Sequence, residues 1–198
     1  MNSIDRIPQD FYDQPTLDIA RSLLGKYLIR PCDQNLLVGK IVETEAYIGE
    51  DDPACHAAVG KTSRNEVMYG PPAYAYIYFI YGMYYCLNVV TEKEGFPAAV
   101  LLRALEPIAG FDIIKQNRQT EKIYHLTNGP GKICQAFKLD RNFNGENLRG
   151  NKLYIGIGEE IRGDNIAQTA RIGIKQGIEH RWRFYIKDSP YVSQKRAK

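Results

Sequence analysis

Between Tyr74 and Thr91 two runs of aromatic and aliphatic residues flank Tyr81-Gly82-Met83, and no other stretch constrains the fold as tightly. Residues two apart on a strand share a face. Tyr74, Tyr76 and Tyr78 therefore form a wall with polar tips, and Ala75, Ile77 and Phe79 form the opposite, core-seeking face. The two runs read as strands 74–80 and 84–91 joined in a hairpin. Tyr81 has the wrong parity for the wall and projects from the tip, where a large exposed aromatic is unfavourable unless it inserts into something. Six of the chain's 14 tyrosines lie between Tyr74 and Tyr85. By itself the pattern fits a tyrosine-rich barrel or sandwich core equally well.

The rest of the chain alternates short elements with turn residues. A helix is expected to start at Pro15-Thr16, with Leu17, Ala20, Leu23 and Leu24 on one side and Gly25 as its stop. Strands are expected at 26–30, 36–47, 98–105, 152–157 and 183–186, and helices from Pro107 to Gln116 and from Gly129-Pro130-Gly131 to Phe137. Residues 51–64 and 140–150 are polar and turn-rich, and read as loops. The order predicts an α+β fold on a mostly antiparallel sheet. At 198 residues the chain suits a single domain with a substantial core.

The net charge of +3 conceals an asymmetry: eight Lys/Arg against two Asp/Glu from Arg171 to Lys198 leave that segment at +6 and the remainder at −3. A basic C-terminal region can follow a phosphate backbone, although Lys195 to Lys198 read more simply as a flexible tail. No apolar run at the start suggests a signal peptide, and none approaches membrane-spanning length. The four cysteines form no C-x-x-C pair and suit reduced, buried thiols in a cytoplasmic protein.

Glu43, Glu45 and Tyr47 share a face of the strand over 36–47. A carboxylate beside a ring suits a general base next to a stacking surface. Taken alone, the segment reads rather as an exposed strand face with solvated glutamates.

Longer order narrows the choice. Ile41-Val42-Glu43-Thr44-Glu45-Ala46-Tyr47, His56, Thr62-Ser63-Arg64-Asn65, Tyr76 through Met83, Leu87-Asn88 and Leu101 through Pro107 follow one another. Gly129-Pro130 with Lys132 and Cys134-Gln135-Ala136, then Arg183-Phe184-Tyr185 with Ser189-Pro190, come after them. Over roughly Gly39 to Ser193 this closely resembles the alkyladenine (3-methyladenine) DNA glycosylase family, in its bacterial form. The first 38 residues carry no motif of their own.

The resemblance implies one mixed domain with a curved antiparallel sheet. It implies excision of alkylated or deaminated purines from double-stranded DNA by water, without a lysine Schiff base and without a metal or organic cofactor. It also implies a monomeric cytoplasmic enzyme, nucleoid-associated when on DNA, with no membrane partner. Position by position, Glu45 matches the catalytic base and Arg103 the arginine that holds the attacking water. Tyr47, His56 and Tyr78 match the side chains around the extruded base, with Tyr76 supporting His56. Asn88 matches the residue that crowds the amine of normal guanine, and Tyr81, with Met83 beside it, matches the intercalating wedge. Arg64, Lys132 and Arg171 are expected on the DNA backbone. Where the common family pattern has glycine before the tyrosine strand, this chain has Ala73.

Two other readings use the same residues. A non-catalytic nucleic-acid-binding module would stack unpaired bases on the tyrosine wall. A glycoside hydrolase would use Glu43 and Glu45 as its acid and base, but two positions on one strand fit poorly with carboxylates flanking a sugar bond. Cys55 beside His56 is a weak candidate nucleophile, since catalytic dyads are set by space rather than by sequence neighbourhood.

Overall fold

The computed structural model describes residues 4–32 and 34–193; the tail expected at 195–198 lies outside them. In chain order the elements are α1 (Thr16–Ser22), β1 (Tyr27–Cys32), β2 (Asn35–Ile48), β3 (Ala75–Ile80), β4 (Tyr84–Val90), β5 (Ala98–Ala109), α2 (Phe111–Arg118), α3 (Pro130–Ala136), β6 (Tyr154–Gly156), β7 (Ile166–Thr169) and β8 (Arg183–Ile186). Single 3-10 turns at His56–Val59 and Glu66–Tyr69 punctuate the polar stretch between β2 and β3. The whole is one α+β domain on an eight-stranded sheet. Every strand pairing among the described residues is antiparallel.

β2 is the spine. Its first half pairs with β1, Glu43 to Glu45 pair with β8, and almost its full length pairs with β5. The path β3-β4-β5-β2-β1-β6 is open, with β8 joined to β2 and β7 to β8. The sheet is uncurled, so curvature is the part of the expected architecture it does not display. The β2–β5 register shifts on either side of Glu43, the kind of irregularity that re-aims side chains beside functional sites.

The two faces of the sheet divide the labour through the period-2 alternation of its strands. One face buries Ala46, Ala75, Ile77, Leu87, Val89, Val100 and Leu102 against Leu24 of the segment after α1 and Ile133 of α3. The Thr44 hydroxyl donates to Ala20 O at 2.7 Å and ties this face to α1. The opposite face carries Tyr76, Val90 and Ala99 with Cys55 and Met68, and Tyr47, Tyr74 and Tyr78 pack around them.

Four local outcomes differ from the sequence reading or complete it. Phe79 is not on the core face: it is 46% exposed and its ring lies 4.9 Å from that of Tyr85, because the hairpin extends beyond the buried layer. No helix begins at Pro107. β5 instead continues to Ala109, with Pro107 opposite Gly39 next to an irregular step in the register, a place where a residue lacking N–H is tolerated in a ladder. β7 was not foreseen; it is four residues long and pairs with β8 alone. Ala73 sits at φ +69°, in the left-handed region that disfavours any residue with a Cβ, which explains why glycine suits this position.

The hairpin tip is tightly specified. Tyr81 and Gly82 have φ of +55° and +66°, and Met83 N–H donates to Ile80 O at 3.2 Å. Two positive-φ central residues match the twist of the flanking strands. A tyrosine held there is strained, and the ring it presents is 77% exposed.

Candidate active site

β2, β3, β4 and β5 bring their cavity-facing side chains to one depression of about 550 Å³. Tyr47 comes from β2, Tyr76 and Tyr78 from β3, Asn88 from β4, Arg103 from β5 and His56 from the 3-10 turn after β2. Tyr81 stands at its mouth, and Lys132 of α3 and the segment Ile172-Gly173-Ile174 complete its sides. Residues more than a hundred positions apart thus share one wall, which no local sequence pattern could specify.

Glu45 lies beneath this cavity and is fully buried. Its Oε2 accepts from the Tyr47 hydroxyl at 2.9 Å and from Arg103 Nη1 at 3.3 Å, and its Oε1 accepts from Ile172 N–H at 2.7 Å. Burial pushes its carboxyl above the ordinary range; Arg103, the Ile172 N–H and the Tyr47 hydroxyl oppose that rise, and Glu43 adds to it. An acid with a raised affinity for protons beneath a ring-lined cavity fits the pattern of a tuned general base.

Glu43 is also fully buried. It accepts from Arg183 Nε at 2.6 Å, Ser193 N–H at 2.7 Å and the Ser193 hydroxyl at 2.9 Å, and lies 3.4 Å from Arg103 Nε. The reading of this strand face as exposed and solvated therefore fails. Glu43 is also too fully engaged to be the second carboxylate of a glycoside hydrolase.

The rings of the cavity wall are fixed by one another. His56 Nδ1 and the Tyr76 hydroxyl are 2.8 Å apart, and the His56 and Tyr78 rings meet edge to face at 4.4 Å. Burial first and the nearby Arg64 second lower the His56 pKa to about 4, so the imidazole is neutral near pH 7 and can both donate and accept. Asn65 holds the loop: its amide donates to His56 O at 2.8 Å and Gly60 O at 2.9 Å, and its oxygen accepts from Thr62 N–H at 2.7 Å. Asn88 donates to Tyr76 O at 3.0 Å, which sets the orientation of its amide against the cavity. Cys55 is buried and pushed up to about 11 by that burial, which leaves it a poor nucleophile.

The three basic candidates divide. Lys132 faces the cavity, with Nζ on Asn128 Oδ1 at 2.6 Å. Arg64 is exposed near the hairpin, donating to Phe79 O at 3.2 Å. Arg171 is not at the surface at all: its side chain is wholly buried and paired with the wholly buried Asp52, so it cannot reach a DNA phosphate. The sequence placed it on DNA because a basic C-terminal segment looks like a phosphate track, and the partner that neutralises it lies 119 residues away. Met83, two residues after Tyr81, is 64% exposed. The residues missed at the sequence level are Asp52 and Ile172, the latter acting through its backbone alone and so carrying no residue-type signal.

The sequence model of the Methylpurine-DNA glycosylase family matches residues 10–190, and the chain belongs to that family. It is thus a DNA glycosylase, a hydrolase acting on N-glycosyl bonds. The match extends well before Gly39, where the motifs begin. Similar proteins, each named "Putative 3-methyladenine DNA glycosylase", include one from Carboxydothermus hydrogenoformans (51% identical, covering 96% of this chain and 99% of the relative). Another, from Methanocella arvoryzae, is 49% identical and covers 96% of both chains. One from Legionella pneumophila is 44% identical over 96% of this chain and 98% of its own. Among the described residues no helix is long and apolar enough to cross a membrane.

Proposed function

We propose that this enzyme flips alkylated or deaminated purines out of duplex DNA into the tyrosine-lined cavity and hydrolyses the base–sugar bond with a water activated by Glu45. The observation that carries the reading is the buried Glu45–Arg103 pair directly under the ring wall. The lesions in view are 3-methyladenine, 7-methylguanine, hypoxanthine and ethenoadenine. The enzyme acts as a monomer in the cytoplasm, on nucleoid DNA.

The energetics are balanced. Extrusion costs roughly a few kcal/mol, and less for a damaged base that pairs badly. Stacking on aromatic rings returns about 1–3 kcal/mol per base, and Tyr81 filling the vacated slot slows the return. An alkylated purine carries positive charge, which the faces of Tyr47 and Tyr78 favour by about 2 kcal/mol when water is excluded. That charge also makes the base a good leaving group. The sugar left behind has oxocarbenium character, which the Glu45 carboxylate stabilises, and general-base help adds about 10²–10⁴-fold. Arg103 holds the water and keeps Glu45 ionised. Asn88 crowds the exocyclic amine that normal guanine carries. Water is the nucleophile, so the product is an abasic site in an intact strand. Neutral lesions need a proton on the leaving purine, and their excision depends more strongly on pH.

The test is Glu45→Gln. The variant is expected to bind lesion duplex and release no base, with freed bases identified by mass spectrometry and strand integrity followed on a denaturing gel. Normal turnover by this variant removes Glu45 from the mechanism.

A further inference from the structure

We infer that Arg171 is a positioning residue for the hydrolysis: clamped to Asp52, it fixes both the backbone donor on Glu45 and the ring of Tyr47. The inference rests on the reading of Glu45 as the base. Arg171 Nη1 lies 2.5 Å from Asp52 Oδ2 and Nη2 lies 2.7 Å from Asp52 Oδ1. Nη1 also donates to Ala46 O at 2.9 Å, the carbonyl between Glu45 and Tyr47. The guanidinium carbon is 4.7 Å from the centre of the Tyr47 ring and 5.0 Å from that of Trp182. The next residue, Ile172, supplies the N–H on Glu45 Oε1, and Ile172 to Ile174 line the cavity.

Asp52 extends the clamp to the other wall. Its Oδ2 accepts from Ile48 N–H at 3.3 Å and its Oδ1 from Ala54 N–H at 3.1 Å, two residues before His56. One ion pair therefore ties together the end of β2, the approach to His56 and the 171–177 segment. Gly177 closes the cage: at φ +64° a Cβ there would come within 2.9 Å of Arg171 Nη2. A buried ion pair seldom stabilises a protein more than apolar residues of equal volume would. What this pair supplies is a fixed geometry among three segments that all touch the site.

Two variants test the idea without leaving a lone buried charge. Asp52→Asn combined with Arg171→Gln removes both charges, and the shorter glutamine cannot make the two-pronged contact. Gly177→Ala keeps both and, with a Cβ 2.9 Å from Nη2 at φ +64°, forces the guanidinium or its own loop to shift. Single-turnover base release from methylated duplex at saturating enzyme is expected to fall about 10²-fold in each, the scale of a misplacement near 1 Å. Half-saturation should stay within about threefold, since the rings of Tyr78, His56 and Tyr81, which Arg171 does not touch, still supply most of the stacking. The acid side of the pH–rate profile should move to higher pH, because Glu45 loses its alignment with the Ile172 N–H. Arg171→Lys, which keeps the charge but not the two-pronged fork, should recover part of the rate. Thermal melting confirms folding, and if the double variant melts below the assay temperature, Gly177→Ala decides. Rates at saturation within twofold of the parent, a loss confined to half-saturation, or an unmoved pH profile overturns the inference. A parent enzyme that releases no base would instead overturn the glycosylase chemistry assigned to Glu45.

Discussion

Replacing Tyr47 by Phe removes one hydroxyl and keeps a ring, so it separates the two tasks given to this side chain. In the structure that hydroxyl donates to Glu45 Oε2 at 2.9 Å, while Arg103 Nη1 and Ile172 N–H supply the other contacts. All three favour the ionised carboxyl against a burial that raises its proton affinity. A hydrogen bond to a charged group is worth about 1.5–3 kcal/mol net. At about 1.4 kcal/mol per tenfold, its loss shifts the ionisation of Glu45 toward the acid by about 10- to 100-fold. The sign follows from the role: a base must be ionised, so activity is lost as pH falls through the carboxyl's titration, and the variant loses it at higher pH than the parent. Single-turnover release of 7-methylguanine across the acid range reads this directly. Parent and variant should converge on the high-pH plateau, and the variant should run about ten- to a hundred-fold slower on the acid limb. Affinity for lesion duplex should hardly change, because the ring face remains. Superimposed pH profiles would refute the electrostatic reasoning, and a uniform loss of affinity would show that the hydroxyl serves binding.

Other outcomes follow from the same geometry. Asn88→Ser should raise release of unmodified guanine by roughly 10- to 100-fold, the range over which a pocket rejects one small group; unchanged selectivity in base-release assays on undamaged DNA would put the gate elsewhere. Tyr81→Ser should weaken capture of lesions in duplex by about tenfold or more, as expected for a lost stacking ring, with little effect on single-stranded substrate; equal losses on both substrates would argue against a wedge. Glu43→Gln should lower folding stability by about 3–5 kcal/mol in urea titrations, since it leaves two buried guanidinium groups with too few carboxylates; a change below about 1 kcal/mol would contradict the ion-pair network.

How much of this was legible beforehand depends on the range of the interaction. The hairpin over 74–91, the spine strand and the ring wall follow from period-2 alternation and turn chemistry, both local. The end of β5 was not legible, because Pro107 ordinarily starts a helix or ends a strand, and only its non-local pairing with Gly39 keeps it in the ladder. Phe79 has the parity of a core residue and lacks a core, since parity assigns a face but not what covers it. Arg171 shows the limit most clearly. Its charge suggested an outward, phosphate-facing role, whereas Asp52, separated by most of the sheet in sequence, pulls it inside.

The choice between Glu43 and Glu45 illustrates the same limit at the centre of the site. The two lie on one strand face, and alternation treats them alike. The tertiary structure does not: Arg183 and Ser193 saturate Glu43, and the C-terminal segment that brings them carries no signal at the position of the glutamates. Arg103 then bridges the two acids, with Nε toward Glu43 and Nη1 toward Glu45. The Arg103 guanidinium is thus held between both acids, and the four charged groups Glu43, Glu45, Arg103 and Arg183 balance two against two. Within that balance Arg103 opposes the burial that raises the proton affinity of Glu45 beneath a ring-lined cavity. Of the two acids, only Glu45 accepts from a ring side chain of the cavity wall, Tyr47, which is the physical reason the proposed mechanism uses one carboxylate rather than two.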